Sequence, residues 1–427
     1  MGQDDLTKQY STLFANKKGK SLFSFVQDVY KSGKSREIVS FMVWELFHKL
    51  RLFPKEQYLM FNNPQALALE NESLNSLDFH QKLDDFFGRR DLRILNSDHN
   101  WKILFKSNDG EILGCLYPDD QDLYKSLDRG KSIIFVKRFP EKIKSIFISS
   151  QKTIFVCVLG AIYKSSDEGV TFKKTLDLES SASFFRFNNA MTETPNKTLI
   201  IGEYGNIWDK TGWRNLANLY FSFDGGETWQ TSDFLKRQGT NKHVHIVGYS
   251  RSLNRLLVAD GDNHKRLWIS GSLDTCEFED PKWKVVNKFH IQMGGYTSFV
   301  ESDGRILFGT DYQGGTNFIV ETKDGQKFTK RVMPDPYRRS PIDNMVLRKS
   351  KSGDEIWANL PYSTAGTKCL LMYSADCGKS WTKVFEYSRT AHTVWLISSS
   401  NQITDELYLS IEDLQNGARY VYKIFEE

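Results

Sequence analysis

His243 and His245 flank Val244 in the run Lys242-His-Val-His-Ile246. A strand through this run puts both imidazoles on one face, because side chains alternate with a period of two. Three readings are open. A ring titrating near neutrality can move a proton with Tyr204, Tyr296 or Tyr312, as a proton-abstracting lyase requires. The pair can ligate a metal if His264, Asp260, Asp262 or Gln292 supplies further donors. Or both rings are ordinary hydrogen-bonded imidazoles lining a channel. Carboxylates carry a second chemistry. Glu203, Asp260, Asp262 and Asp311 stand at or just past the ends of apolar runs. Glycoside cleavage needs one carboxyl to protonate the leaving oxygen and another to stabilise or attack the anomeric centre. There is no G-x-G-x-x-G, Walker-type or G-x-S-x-G motif, so a nucleotide-binding core and a serine-hydrolase elbow are not expected, nor any cofactor.

These residues need elements to hold them. From about residue 91 the chain consists of short β-rich runs broken by Gly, Asn and Asp. One motif recurs: Ser126-Leu-Asp128-Arg-Gly130-Lys-Ser132-Ile133, and Ser165-Ser-Asp167-Glu-Gly169-Val-Thr171-Phe172. It returns as Ser222-Phe-Asp224-Gly-Gly226-Glu-Thr228-Trp229 and Ser374-Ala-Asp376-Cys-Gly378-Lys-Ser380-Trp381, with decayed copies at Ser272-Leu-Asp274 and Thr322-Lys-Asp324-Gly325. Ser and Asp can satisfy the amides of a turn, Gly permits positive φ, and the last residue wedges between sheets. Each repeat reads as four strands, with the motif between the third and fourth. The third repeat offers Phe184–Asn188, Thr198–Glu203, Leu216–Ser222 and Thr228–Phe234. The last segment supplies three strands, and Leu92–Leu95 supplies its fourth. The expected fold is mainly β, a propeller of four-stranded antiparallel sheets over 91–427. It has seven blades, or six if the ends are overdivided. An N-terminal helical extension covers 1–90.

The motif resembles the Asp-box, or BNR, repeat of sialidase-like β-propellers. First strands begin, and second strands end, on the face opposite the boxes. The candidate mouth therefore gathers Arg186, Asn188, Glu203 and Tyr204, then His243, His245, Asp260, Asp262 and His264. It continues with Tyr296, Asp311, Tyr312, Arg338, Arg339, Asp343 and His392. Phe185-Arg186-Phe187-Asn188 is similar to the sialidase entry motif, whose Arg clamps the substrate carboxylate through its planar fork. The resemblance implies a glycosidase-like hydrolase acting on an acidic sugar, with Arg186 as the clamp. The structural alternative for Arg186 is an ion pair with Glu203. Competing functions are a non-catalytic glycan- or protein-binding propeller and a His/Tyr polysaccharide lyase.

The N-terminal texture is helical. Val39, Met42, Val43, Leu46 and Leu50 form a stripe over Ser35–Leu50, and a second helix is expected near Leu77–Phe87 with Gly88 as its stop. These helices are expected to pack on the main domain, to dock a protein partner, or to rest on an anionic membrane. Residues 1–53 carry nine Lys/Arg against five acids, which accounts for the net charge of +4 over 427 residues. The remainder is neutral, so no nucleic-acid partner is expected. Cys115, Cys157 and Cys369 lie in apolar runs and read as buried thiols. With no apolar h-region at the N-terminus and no membrane-length apolar run, a cytoplasmic location is expected.

Overall fold

Ser126 Oγ donates to Asp128 Oδ1 (2.8 Å) and accepts from the Gly130 amide (2.9 Å), while Asp128 accepts from the amide and hydroxyl of Ser132 (2.9 and 2.7 Å). The same four bonds close the turns at Ser165, Ser222 and Ser374. Glycine is required at the fifth position. Gly226 has φ +85°, and a Cβ there would sit 2.4 Å from the Phe155 ring of the preceding sheet. Trp229 then lies edge-on to Phe155, 6.3 Å between centroids. The Thr322–Asp324 copy keeps part of the pattern. In the copy at Ser272, Asp274 lies outside the described residues.

The structure is a computed structural model. It describes Gln27 and residues 35–426 apart from 71, 108, 188, 210–211, 241, 262–265, 273–281, 287–294, 313–314, 363–366 and 398–402. Seven antiparallel sheets follow one another as the blades of a propeller, each hydrogen-bonded in chain order from its first strand outward. First strands run Trp101–Lys106, Ile143–Ile148, Met191–Glu193, Val244–Ser250, Gly295–Ser302, Asn344–Ser350 and His392–Ile397. Blade seven takes its outer strand from Leu92–Asn96, which pairs antiparallel with Arg419–Glu426 and ties the start of the ring to its end. Seven blades are therefore complete. Aromatic and aliphatic side chains fill the seams between neighbouring blades, and burial of this area is the main force closing the ring.

One strand differs from expectation. Of Phe184–Asn188, read as the first strand of blade three, the described residues 184–187 are irregular, and that strand is the short Met191–Glu193. Phe184 makes only an isolated bridge with Tyr204, and Phe187 has φ +31°, which breaks the extended run.

Helix α1 (Ser35–Lys49) belongs to a unit of its own, and within it Trp44 stacks on Phe53 at 5.6 Å. Helix α2 (Leu77–Gly88) belongs to the propeller unit. Ser76 caps its first turn by accepting from the Phe79 amide, and Phe79, Leu83 and Phe87 pack into the seam of blades six and seven. Leu67–Ala68 adds a fifth, parallel strand to blade six. Cys115, Cys157 and Cys369 are free and buried, and burial pushes the first two thiols to about 12. No helix among the described residues is long and apolar enough to cross a membrane.

Candidate functional site

At the mouth, a backbone irregularity recurs. The first strands of blades one, two, four and five each slip register near their start, at the second residue in blades one, two and four and the third in blade five, leaving Lys102, Lys144, His245 and Thr297 opposite no partner. A bulge re-aims one side chain at a strand end. Here it recurs at the start of four first strands. Blade three substitutes the irregular residues 184–187, held by the Ser145 hydroxyl donating to the Phe185 carbonyl (2.7 Å).

Arg186 is buried at the centre of this arrangement. Its Nη2 lies 2.5 Å from Asp343 Oδ1, and its Nη1 donates to the Thr297 carbonyl (3.1 Å). The guanidinium also faces the Tyr204 ring at 5.6 Å. Burial works against its charge, but Asp343, Tyr204, Asp311 and Tyr362 outweigh it and hold the pKa above the ordinary value. Arg186 thus ties blades three, five and six, and its ion pair is with Asp343 in place of Glu203.

Glu203 is fully buried and saturated. It accepts from the Ser183 hydroxyl (2.5 Å), the Ser180 amide (3.3 Å), Asn218 Nδ2 (2.8 Å) and the Tyr220 hydroxyl (2.6 Å). Asp260, also fully buried, accepts from the Arg266 amide (2.6 Å), Thr240 (2.9 Å) and Trp268 Nε1 (3.4 Å). Burial still raises its pKa to about 6. Each carboxylate fastens the loop above its own blade. Asp311 is half-buried and near enough to Arg186 to stabilise its charge. The Tyr296 ring is core, edge-on to Phe308 at 5.2 Å, and only its carbonyl serves the mouth.

Tyr312 is partly buried beside Asn317, which accepts from the Tyr312 amide (2.7 Å). Arg338 is buried against Asp335 (3.2 Å) and Thr316 (2.8 Å) and braces the approach to blade six; Arg339 is partly buried. His392 is buried with neither ring nitrogen hydrogen-bonded, and burial lowers its pKa. Asn188, Asp262, His264 and Gln292 lie outside the described residues.

A cavity of about 250 Å³ opens between blades one, two, six and seven. Phe184, Phe187 and Trp395 wall it, and Lys102, Lys144 and Asp343 supply its charges. Lys102 is taken by Asp120 at 2.5 Å. Among the described residues no carboxylate pairs with Lys144, whose ammonium lies 5.3 Å over the Phe184 ring. Burial first, and then Lys102, lower its pKa. Tyr362 meets Trp395 edge-on at 6.2 Å, and the Arg389 guanidinium lies over the Tyr362 ring at 4.4 Å. Both lysines were missed as candidates because each is a single residue in an alternating run. The missed signal is their shared second position in Trp101-Lys-Ile and Ile143-Lys-Ser.

Behind Arg186, Tyr204 covers the two imidazoles, with centroids 4.3 Å from His243 and 5.8 Å from His245. His243 Nδ1 lies 2.7 Å from the Gly205 carbonyl and His245 Nδ1 3.2 Å from the Tyr296 carbonyl. The two Nε2 atoms face each other at 2.9 Å. Among the described residues no group of three or more His, Cys, Asp or Glu is placed to hold a metal.

A second cavity, about 600 Å³, occupies the box-side end of the channel. Glu193 and Glu301 at its rim are bound to backbone amides of the preceding blades at Ser150 (2.7 Å) and at Arg251 and Ser252 (2.9 and 2.6 Å).

No family model matches the chain, and comparison with curated proteins finds no match. Solved structures do match. A streptogramin B lyase structure aligns with a TM-score of 0.50 at 14% identity, covering 79% of this chain and 97% of that one. YCF48 bound to a D1 peptide aligns at 0.46 and 11%, covering 79% and 95%, and the AfRom2 CNH domain at 0.49 and 10%, covering 78% and 99%. At such identities the likeness is one of fold, a seven-bladed β-propeller, and extends to no activity or ligand.

Proposed function

We propose that the protein is a carbohydrate-binding propeller whose mouth takes one acidic sugar ring, with the carboxylate at Lys144 and the ring against Trp395 and Phe187. The observation that carries this reading is Lys144: a half-buried ammonium with no carboxylate partner among the described residues, beside aromatic walls. Asp120 favours the Lys144 charge only from a distance; a cation kept partly out of water without a carboxylate in contact is costly, and an anionic ligand supplies that contact. Aromatic faces suit the apolar face of a sugar. At about 250 Å³ the cavity is below the usual range for larger ligands and suits a single ring. The recurring Ser-x-Asp-x-Gly turns, similar to those of sialidase-like propellers, agree with an acidic sugar.

Binding is preferred to hydrolysis because Glu203 and Asp260 are saturated by protein donors and Asp343 is engaged by Arg186. A glycosidase needs two carboxyl groups facing one substrate. The test is calorimetric titration of the full chain with N-acetylneuraminate, glucuronate and their neutral methyl esters. The acids should bind and the esters at least tenfold more weakly, with Lys144→Gln narrowing that difference. Equal binding of acid and ester, or an unaltered Lys144→Gln variant, would overturn the assignment. Release of free sugar from a glycoside would favour the hydrolase instead.

A further inference from the structure

The hydrogen bonds around His243 and His245 determine where their protons lie. A carbonyl oxygen only accepts, so His243 Nδ1, 2.7 Å from the Gly205 carbonyl, carries hydrogen, and so does His245 Nδ1 against the Tyr296 carbonyl. A neutral imidazole has one N–H. Two neutral rings so arranged would aim bare Nε2 lone pairs at each other across 2.9 Å, which is a hydrogen-bond distance without a hydrogen. One added proton resolves the contact as N–H···N. Two would set N–H against N–H.

We infer that His243 and His245 share a single proton between their Nε2 atoms, forming one buried cation in the wall of the mouth that selects for an anionic ligand. The selectivity part rests on the binding reading above; the shared proton does not. Both rings are buried, so desolvation opposes the charge. Three features favour it: two carbonyl dipoles on the outer nitrogens, the charge spread over two rings, and the Tyr204 π-face 4.3 Å from His243. Gly261 belongs to the same construction, since a Cβ there would stand 2.2 Å from the His243 ring.

Among the described residues, the charged and titratable groups on the neighbouring elements include Arg186, Tyr204, Glu203, Lys242, Asp260, Tyr296 and, on the strand paired with Gly295–Ser302, Asp311, which favours the Arg186 charge. Arg186 faces Tyr204 and disfavours the proton, but its charge is offset by Asp343 at 2.5 Å. Glu203 and Asp260 are each held by their own donors, Lys242 is buried on the same run, and the Tyr296 hydroxyl is in the core. The cation therefore lies one aromatic layer behind the Arg186–Asp343 pair. As pH rises the shared proton leaves, the wall loses a positive charge, and affinity for an anion falls.

The proton can be read without any ligand. The full chain has eight histidines, so ¹⁵N-histidine labelling gives a tractable spectrum, with His243→Gln and His245→Gln assigning the pair. Two rings with Nδ1–H and one strongly deshielded proton coupled to both Nε2 atoms are expected, lost in a single titration step. Nε2 nitrogens that stay unprotonated at every pH where the chain is folded would overturn the inference.

Affinity for N-acetylneuraminate is then followed across the same pH range, where the sugar carboxylate does not titrate. Wild type should weaken roughly tenfold as the proton leaves, and His245→Gln should show no such slope. Lys144→Gln serves as the comparison that weakens binding by another route and retains the slope. A shared proton with pH-independent affinity would remove its role in selectivity. A shared proton with no sugar bound would leave the pair standing and remove the binding reading.

Discussion

Lys102 and Lys144 occupy the same bulge in consecutive blades, yet only Lys102 has a carboxylate, Asp120, at 2.5 Å. The difference separates a structural cation from a functional one. Lys102→Gln leaves the buried Asp120 with only the distant Lys142 ammonium at 3.8 Å, and should lower the melting temperature. Lys144→Gln removes a charge that makes no ion pair with a described carboxylate and is favoured by Asp120 only from a distance. Its stability should stay within the range of surface substitutions, about 0.5 kcal/mol, while acid-over-ester discrimination narrows. Melting curves and calorimetry on both variants separate the roles. Loss of fold stability in the second variant alone would reverse the assignment.

Arg186 and Asp343 should behave as a buried pair. Their side chains are 8% and 12% exposed, and removing one partner leaves the other charge stranded in the interior. Arg186→Ala is expected to cost about 3–5 kcal/mol in denaturant unfolding, with Asp343→Ala similar. The double variant Arg186→Met/Asp343→Leu should recover most of that loss. A clamp residue that served only the ligand would show the opposite pattern: unchanged unfolding and lost binding.

The sequence disclosed the turns and closure far better than the site. Four copies of a Ser-x-Asp-x-Gly turn report on themselves locally, because every bond that closes the turn lies within six residues. The pairing of Leu92–Asn96 with the last strand was legible because the final segment lacked a fourth run. The Arg186–Asp343 tie spans 157 positions and has no local signal. Phe184–Asn188 has the alternation of a strand, and only the positive φ of Phe187 shows that it is not one. A bulge is equally silent, since one extra residue leaves an apolar pattern almost unchanged. Glu203 and Asp260 read as mouth carboxylates because strand ends are where such groups belong; the donors that consume them come from loops whose path the sequence does not disclose.

Asp260 gives a pH signature of opposite sign to most carboxylates. Burial raises its pKa to about 6 from an ordinary 3.8. Between those values the folded chain keeps a proton that the unfolded chain has released, so this group's contribution falls as pH rises from about 4 to about 6. Unfolding midpoints of wild type minus those of Asp260→Asn should show that decline. A flat difference across the window would mean that the carboxylate is ionised and fully compensated by Arg266, Thr240 and Trp268.

The box carboxylates run the other way. In Asp128 and Asp167 the amide and hydroxyl of the Ser or Thr four residues on hold the pKa at about 2. In Asp224 burial pushes upward, but Thr228 and Ser222 still bring it to about 2. Below about pH 4 the unfolded chain takes up protons first, so the contribution of these turns is intact above that point and is lost as pH falls through 2. Because the groups are at the surface, each effect is small and solvent-screened. Asp224→Ala should lower the melting temperature at neutral pH by roughly 1–3 °C. The gap from wild type should close toward pH 2, and sugar affinity should not change, since the box lies at the far end of the blade from the mouth. A gap independent of pH would mean that the turn is held by Ser222 and Gly226 alone; a change in affinity would place the boxes within the site.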